Sequence, residues 1–197
     1  TDAAHGGRIQ EKIINANPIL ESFGNASTVR NTNSSRFGKY NEMCFNPVGS
    51  LVGARVKTYL LESSRVVGQQ DGERNYHVFY EMLAGLGDEM LDRLLLDPCC
   101  KYRLLYAGSV QPCDQDSAEA KLHGQRFAEL RRALSTFVSP DVEQDIWEAV
   151  AALVHLGEVE FEEIGGQEAE GAKARSQSPM PLDVSAESSQ QAKVEIA

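Results

Sequence analysis

No stretch of this chain approaches the roughly 20 consecutive apolar residues that a membrane-spanning helix needs, and no apolar signal segment opens it, so a soluble protein without a membrane span is expected. Cysteine is scarce. Its 4 residues, Cys44, Cys99, Cys100 and Cys113, include an adjacent pair and no CxxC spacing, which suggests neither a zinc site nor a secreted disulfide framework and leaves reduced cytosolic thiols. Basic residues are outnumbered, 19 Lys and Arg against 29 Asp and Glu, for a net charge of -10. Nucleic-acid binding needs clustered cations to displace counterions, so no nucleic-acid partner is expected, and acidic membranes are disfavoured likewise. One anionic ligand remains compatible with that balance, because backbone amides, hydroxyls and a single cation can hold a phosphate carried with magnesium. The 4 histidines, His5, His77, His123 and His155, are scattered and form no ligand set. His77 and His155 read as helix residues with satisfied nitrogens. No internal repeat is present.

What the chain does contain is a mixture of helical and strand patterns. Ile9, Ile13, Ala16 and Leu20 recur at spacings of three and four and predict an amphipathic helix, which Pro18 is expected to kink or divide and Gly24-Asn25 to stop. Residues 40–45 and 51–61 read as two strands joined by a hairpin turn at 46–50. In the second, Val52, Val56, Thr58 and Leu60 favour one face and Arg55 and Lys57 the other, the pattern of a sheet with one buried side. A helix is expected from Asp71-Gly72-Glu73, with Tyr76, Phe79, Tyr80 and Leu83 as its core stripe and an exposed start at Glu73 and Arg74. Glu62 and Arg65 could form an internal ion pair. A short helix over 88–96, a short strand over 103–106 in otherwise irregular chain, and a helix over 118–137 follow. Ser139-Pro140-Asp141 opens another, Ser at the N-cap and Pro in the first turn, whose buried stripe would be Val142, Ile146, Trp147, Val150, Leu153 and Val154. A strand over 159–161 ends the patterned part. Beyond it, Gly, Ala, Ser, Gln, Glu and Pro dominate without an aromatic residue, so 164–190 reads as a disordered surface loop and 191–197 as the start of a further ordered element.

The run Asn31-Thr32-Asn33-Ser34-Ser35-Arg36-Phe37-Gly38-Lys39 stands apart. Asn and Ser compete with regular backbone hydrogen bonding and favour turns. Carboxamides, hydroxyls and a permanent cation packed into one loop suit contact with a metal-phosphate complex. Solvated loops and helix caps also collect such residues. Two tripeptides here, Asn25-Ala26-Ser27 and Asn33-Ser34-Ser35, satisfy the N-glycosylation pattern, a poor reading without a signal segment.

The run resembles switch I of the myosin motor domain, and its neighbours are similar to the same family in the same order. Asn17 to Ala26 (NPILESFGNA) resembles the helix leading into that switch. Gly49 to Arg55 (GSLVGAR) and Thr58 to Val67 (TYLLESSRVV) look like the strand and turn that follow it. Gly72 to Tyr80 (GERNYHVFY) is a further family signature, and Ala152 to Gly157 (ALVHLG) with Phe161 resembles a later helix end and strand. The resemblance covers about Arg8 to Glu163.

It implies an α/β, helix-rich fold of the P-loop NTPase type, in which residues 1–163 form part of the motor core and the hairpin belongs to its central sheet. It also implies an ATP-hydrolysing motor working on actin filaments in the cytoplasm and cytoskeleton, with ATP and Mg2+ as cofactors. The family's phosphate-binding loop, GESGAGKT in its usual form, and its second switch, of the DxxGFE kind, do not occur in this sequence. An internal slice of the motor, inactive by itself, is therefore expected, its partner being the remainder of the motor domain. By the resemblance, Asn31 contacts the nucleotide phosphates, Ser34 stands beside the terminal phosphate and its attacking water, and Ser35 ligates magnesium. Arg36 pairs with a glutamate of the second switch and closes the site. Asn33 and Lys39 match family positions without an assigned role. A non-catalytic myosin-like scaffold used for binding or regulation is the alternative.

Overall fold

The computed structural model describes residues 2–106, 117–163, 172–176 and 180–181. The chain begins with α1 (Asp2–Gly24). This helix runs through Pro18 undivided, because the loss of one ladder bond is offset where its flank packs on the helices below: Asn15 Nδ2 donates to Thr136 Oγ1 at 3.2 Å and Ser22 Oγ to Glu81 Oε2 at 2.6 Å. Strand β1 (Asn25–Ala26) follows at once and pairs antiparallel with β2 (Ser34–Ser35). The hairpin comes next, β3 (Gly38–Phe45) against β4 (Leu51–Tyr59), closed by Asn46, whose side chain accepts from the amides of Val48 and Ser50. Gly49 takes φ +81 in that turn, a conformation glycine adopts without a Cβ penalty.

Val52, Val56 and Leu60 are exposed, Leu60 at 93 %. The expected buried face of β4 is therefore not buried: the two strands form a two-stranded ribbon that touches α1 through β4, and among the described residues no third strand joins it. Alternation signals a face that wants a cover, and among the described residues nothing covers it.

Short helix α2 (Ser64–Val67) leads to α3 (His77–Gly85), α4 (Asp88–Arg93), β5 (Cys100–Lys101), α5 (Ala118–Leu134), α6 (Pro140–Leu156) and β6 (Val159–Glu163). The helix expected from residue 71 begins at His77 instead. Gly72 sits at φ +78, and Asn75, fully buried, turns its Nδ2 to the carbonyls of Val66 and Leu104, so the preceding backbone serves loop contacts. Glu73 and Arg74 are thus not an exposed helix start; they are largely covered and ion-paired with Arg65 and Glu119.

The strand expected over 103–106 is replaced by a turn. The Arg103 amide donates to the buried Glu158 carboxylate at 2.6 Å rather than to a ladder, and extended pairing falls at β5, against β8 (Met180–Pro181). Strand β6 pairs with β7 (Ala172–Ser176). Two paired segments thus fall inside the span expected to be a loop, 164–190. The rest of that span and 191–197 lie outside the described residues.

The core is built where α3, α5 and α6 meet: Phe79, Met82 and Leu83 pack with Phe127, Leu130 and Leu134, and with Trp147, Val150 and Val154. The Phe127 and Trp147 rings lie 4.9 Å apart. Tyr76 and Tyr80 are buried here as core residues. The buried stripe of α6 is Glu143, Trp147, Val150, Ala151 and Val154, whereas Val142 and Leu153 are exposed. Glu143 displaces Val142 because its carboxylate accepts from both Trp147 Nε1 and Arg131 Nε.

Candidate functional site

The polar run 31–39 leaves and returns to the end of α1. Pairing of Ala26 with Ser34 and Asn25 with Ser35 pinches its base, and the Arg36 amide donates to the Gly24 carbonyl at 2.8 Å. Gly24 has a steric reason to be glycine: a Cβ there would overlap the Phe37 ring. On its other side β1 bridges to Tyr76, and the Arg74 amide donates to Ser27 O, so the loop is sewn to the start of α3.

Inside the loop, short polar side chains set the backbone. Thr28 Oγ1 donates to Asn31 O and accepts from the Asn31 amide, while Asn31 Oδ1 accepts from the Asn33 amide at 2.9 Å. These are the local bonds that Asn and Thr offer a turn. Asn33 fastens the loop: its Oδ1 accepts from Asn25 Nδ2 at 3.0 Å and lies 3.1 Å from His77 Nε2. The amide oxygen can only accept, so Nε2 carries the proton in this pair. Burial, with the nearby charges of Arg126 and Arg74 and the ring of His123, pushes the His77 pKa down to about 4 and keeps the ring neutral. Lys39 Nζ reaches Asn17 Oδ1 at 3.0 Å, tying the start of β3 to α1.

The four residues singled out in the sequence occupy one turn of chain. Asn31 and Ser35 are exposed, Ser34 and Arg36 half-buried. Ser35 Oγ donates to Phe37 O at 2.9 Å, and the Arg36 Nη1 donates to Ser34 Oγ at 3.2 Å. Arg36 Nε meets Glu62 Oε2 at 2.6 Å. That same oxygen accepts from Arg65 Nε at 2.7 Å, and Arg65 Nη2 continues to Glu73 Oε2 at 2.9 Å. The ion pair of Glu62 with Arg65 expected from sequence is thus present, extended at both ends into a chain of alternating charges, Arg36, Glu62, Arg65, Glu73. The hydrogen bond from Arg36, with Arg65 adding to it against the opposing effect of burial, holds the Glu62 carboxyl below its usual range. Arg65 is 5 % exposed; burial lowers its pKa, but its bonds to Glu62 and Glu73 outweigh this and raise it overall.

Glu62, Asn33, Asn25 and His77 matter to this site, and none of them has an assigned role in it from sequence alone. Glu62 lies 26 residues from Arg36 and His77 lies 44 from Asn33, separations over which no local spacing speaks. Among the described residues no group of three or more His, Cys, Asp or Glu side chains could hold a metal ion, no helix is long and apolar enough to cross a membrane, and Cys44, Cys99 and Cys100 form no disulfide. Cys113 lies outside the described residues.

The family model for the myosin head (motor domain) matches residues 1–194. The chain belongs to the myosin head family. It is 44 % identical over 158 residues to Myosin-VIIa of Drosophila melanogaster, a match covering 78 % of this chain and 7 % of that protein. It is also 44 % identical over 168 residues to Myosin IE heavy chain of Dictyostelium discoideum, covering 83 % of this chain and 16 % of that one. Myosin-2 of Lachancea kluyveri is 43 % identical over 157 residues, 77 % of this chain and 10 % of the relative. The chain therefore spans between 7 % and 16 % of these curated relatives. Its mixed helix and strand content fits a part of the myosin head.

Proposed function

We propose that this chain supplies switch I of an ATP-driven motor that hydrolyses Mg-ATP and moves on actin filaments within the cytoskeleton. Residues 1–163 would form part of a P-loop NTPase-type core, with the exposed hairpin as part of its central sheet. The observation that carries the reading is the placement of Arg36, held between the Ser34 hydroxyl and the Glu62 carboxylate beside the exposed Asn31 and Ser35.

The donor set fits the cofactor. Magnesium takes hard oxygen ligands in a small octahedral shell and is commonly held by one or two protein oxygens, water and substrate phosphates. Ser35 Oγ spends its proton on Phe37 O, which turns its lone pairs outward as a neutral ligand. Asn31, with its oxygen engaged by the Asn33 amide, retains its amino group to donate to a phosphate. Ser34, accepting from Arg36, has its own proton free to point at a water or phosphate oxygen, and in this role it would position and relay. Bound Mg-ATP would supply the phosphoryl group and the charge that neutralises its oxygens. The protein's share is positioning and electrostatic stabilisation.

Arg36 would close the site by pairing with a carboxylate of the motor's second switch, excluding bulk water. In an intact head, Arg36→Ala should therefore slow single-turnover ATP hydrolysis by about 100-fold, the scale of losing one preorganised donor, with a much smaller effect on initial ATP binding. Unchanged single-turnover hydrolysis would remove the gating role. The 197 residues alone would turn over no ATP, since the phosphate-binding loop is not among them.

A further inference from the structure

A guanidinium has five N–H donors in a planar fork, one on Nε and two on each terminal nitrogen. Arg36 spends Nε on Glu62 at 2.6 Å and one Nη1 proton on Ser34 at 3.2 Å. Its terminal edge is the part left to meet a further carboxylate, and the direction of that edge is set by whatever holds Nε.

Glu62 is itself held from several directions. Its amide donates to the Arg36 carbonyl at 3.0 Å, and its carbonyl accepts from the buried Tyr76 hydroxyl at 2.7 Å. Its carboxylate accepts from Arg65 at 2.7 Å, and Arg65 in turn is fixed by Glu73 and by the Arg74 carbonyl at 3.1 Å. These contacts reach it from the loop, from α2 and from the chain entering α3. A carboxylate so constrained is a fixed post rather than a mobile surface charge.

We infer that Glu62 is a positioning residue for Arg36: it grips Nε so that the terminal edge of the guanidinium faces the site, poised for the second carboxylate. The inference rests on the proposed role of Arg36 as a gate and adds the group that orients it. Glu62 contacts neither the nucleotide nor the attacking water in this scheme and acts only through Arg36. A bidentate contact on the terminal edge and a single contact at Nε use different N–H groups, so Glu62 need not release Arg36 when the gate closes. Lysine at position 36 would not reproduce this, because its single ammonium lacks the planar fork whose Nε and terminal edges face two carboxylates separately.

The test is a double-mutant cycle in the intact head, with ATP binding and single-turnover hydrolysis measured separately. Glu62→Gln should slow hydrolysis by about 10-fold or more, as misplacement of a catalytic group by a fraction of an ångström does, while the rate of ATP binding changes by less than about twofold. In an Arg36→Ala background the same substitution should have no further effect on hydrolysis, since there is nothing left to orient. Glu148→Gln breaks the exposed ion pair with Arg93 between α4 and α6, outside this charge chain, and should leave hydrolysis within about twofold of the parent. Additive effects of Glu62→Gln and Arg36→Ala, or equal slowing by Glu148→Gln, would overturn the positioning role and leave Glu62 as a structural ion-pair member. The outcomes separate the two ideas: if Arg36→Ala alone leaves hydrolysis unchanged, the gate itself fails; if it slows hydrolysis but the cycle is additive, only Glu62's role fails.

Discussion

Replacing Arg65 with leucine tests the charged chain at its most buried link. The side chain is 5 % exposed and donates to Glu62 at 2.7 Å, to Glu73 at 2.9 Å and to the Arg74 carbonyl at 3.1 Å. Removing one partner of a buried ion pair costs about 3–5 kcal/mol, chiefly because a charge is left without compensation. The lower end applies here. Glu62 keeps Arg36 and its side chain is 33 % exposed, so the orphaned charge is mainly that of Glu73, at 13 %. A loss of about 3 kcal/mol corresponds to roughly a 100-fold fall in protection wherever opening of this region governs exchange. Amide hydrogen exchange in the full-length protein, read over residues 62–76, measures it directly. Adding Glu73→Gln to Arg65→Leu should restore about 1–2 kcal/mol, because the uncompensated carboxylate is gone. Protection within about threefold of the parent in Arg65→Leu, or a further loss on adding Glu73→Gln, would refute the view that this network is held by mutual charge compensation.

Two further outcomes are expected. Gly85→Ala should destabilise: alanine gains about 1 kcal/mol of helix propensity, but its Cβ would overlap Phe127 where α3 meets α5, and overpacking costs about 1–3 kcal/mol, so a raised melting temperature would contradict the packing described. His77 and His123, both buried, have their pKa values pushed down to about 4, chiefly by burial, and so favour their neutral forms in the fold. Their contribution is complete above the unfolded value near 6.5 and falls as the pH drops from there toward 4, by up to about 3 kcal/mol each. Glu81, its carboxyl raised by burial, works in the opposite sense and is most stabilising when protonated. A denaturation midpoint that stays flat between pH 7 and 5 in the parent, and equally flat in His123→Phe, would oppose the histidine account.

Local signals read well where local physics rules. The turn at Asn46 to Ser50 is closed by its own asparagine, the break at Gly24 coincides with a helix end, and Pro140 sits in the first turn of α6 behind Ser139. They failed where distant groups compete for the backbone. Asn75 gives its side chain to Val66 and Leu104, and Glu158 takes the Arg103 amide across 55 residues; neither bond is visible in a window of ten. The strand pattern of β4 was real, yet its apolar face lies open, because alternation reports what a strand needs and not whether the described chain provides it.

The polar run shows the same division. Composition alone determined that residues 31–39 gather carboxamides, hydroxyls and one guanidinium, although β2 and the start of β3 fall within that run, and the order of the neighbouring motifs determined the family, because both are properties of the chain in one dimension. Only tertiary structure decided that Asn33 is pinned to Asn25 and His77, and that Arg36 is gripped by Glu62. Those partners come together because α1, the hairpin and α3 fold against one another, and a burial that strips water from Arg65 makes its paired carboxylates costly to leave alone.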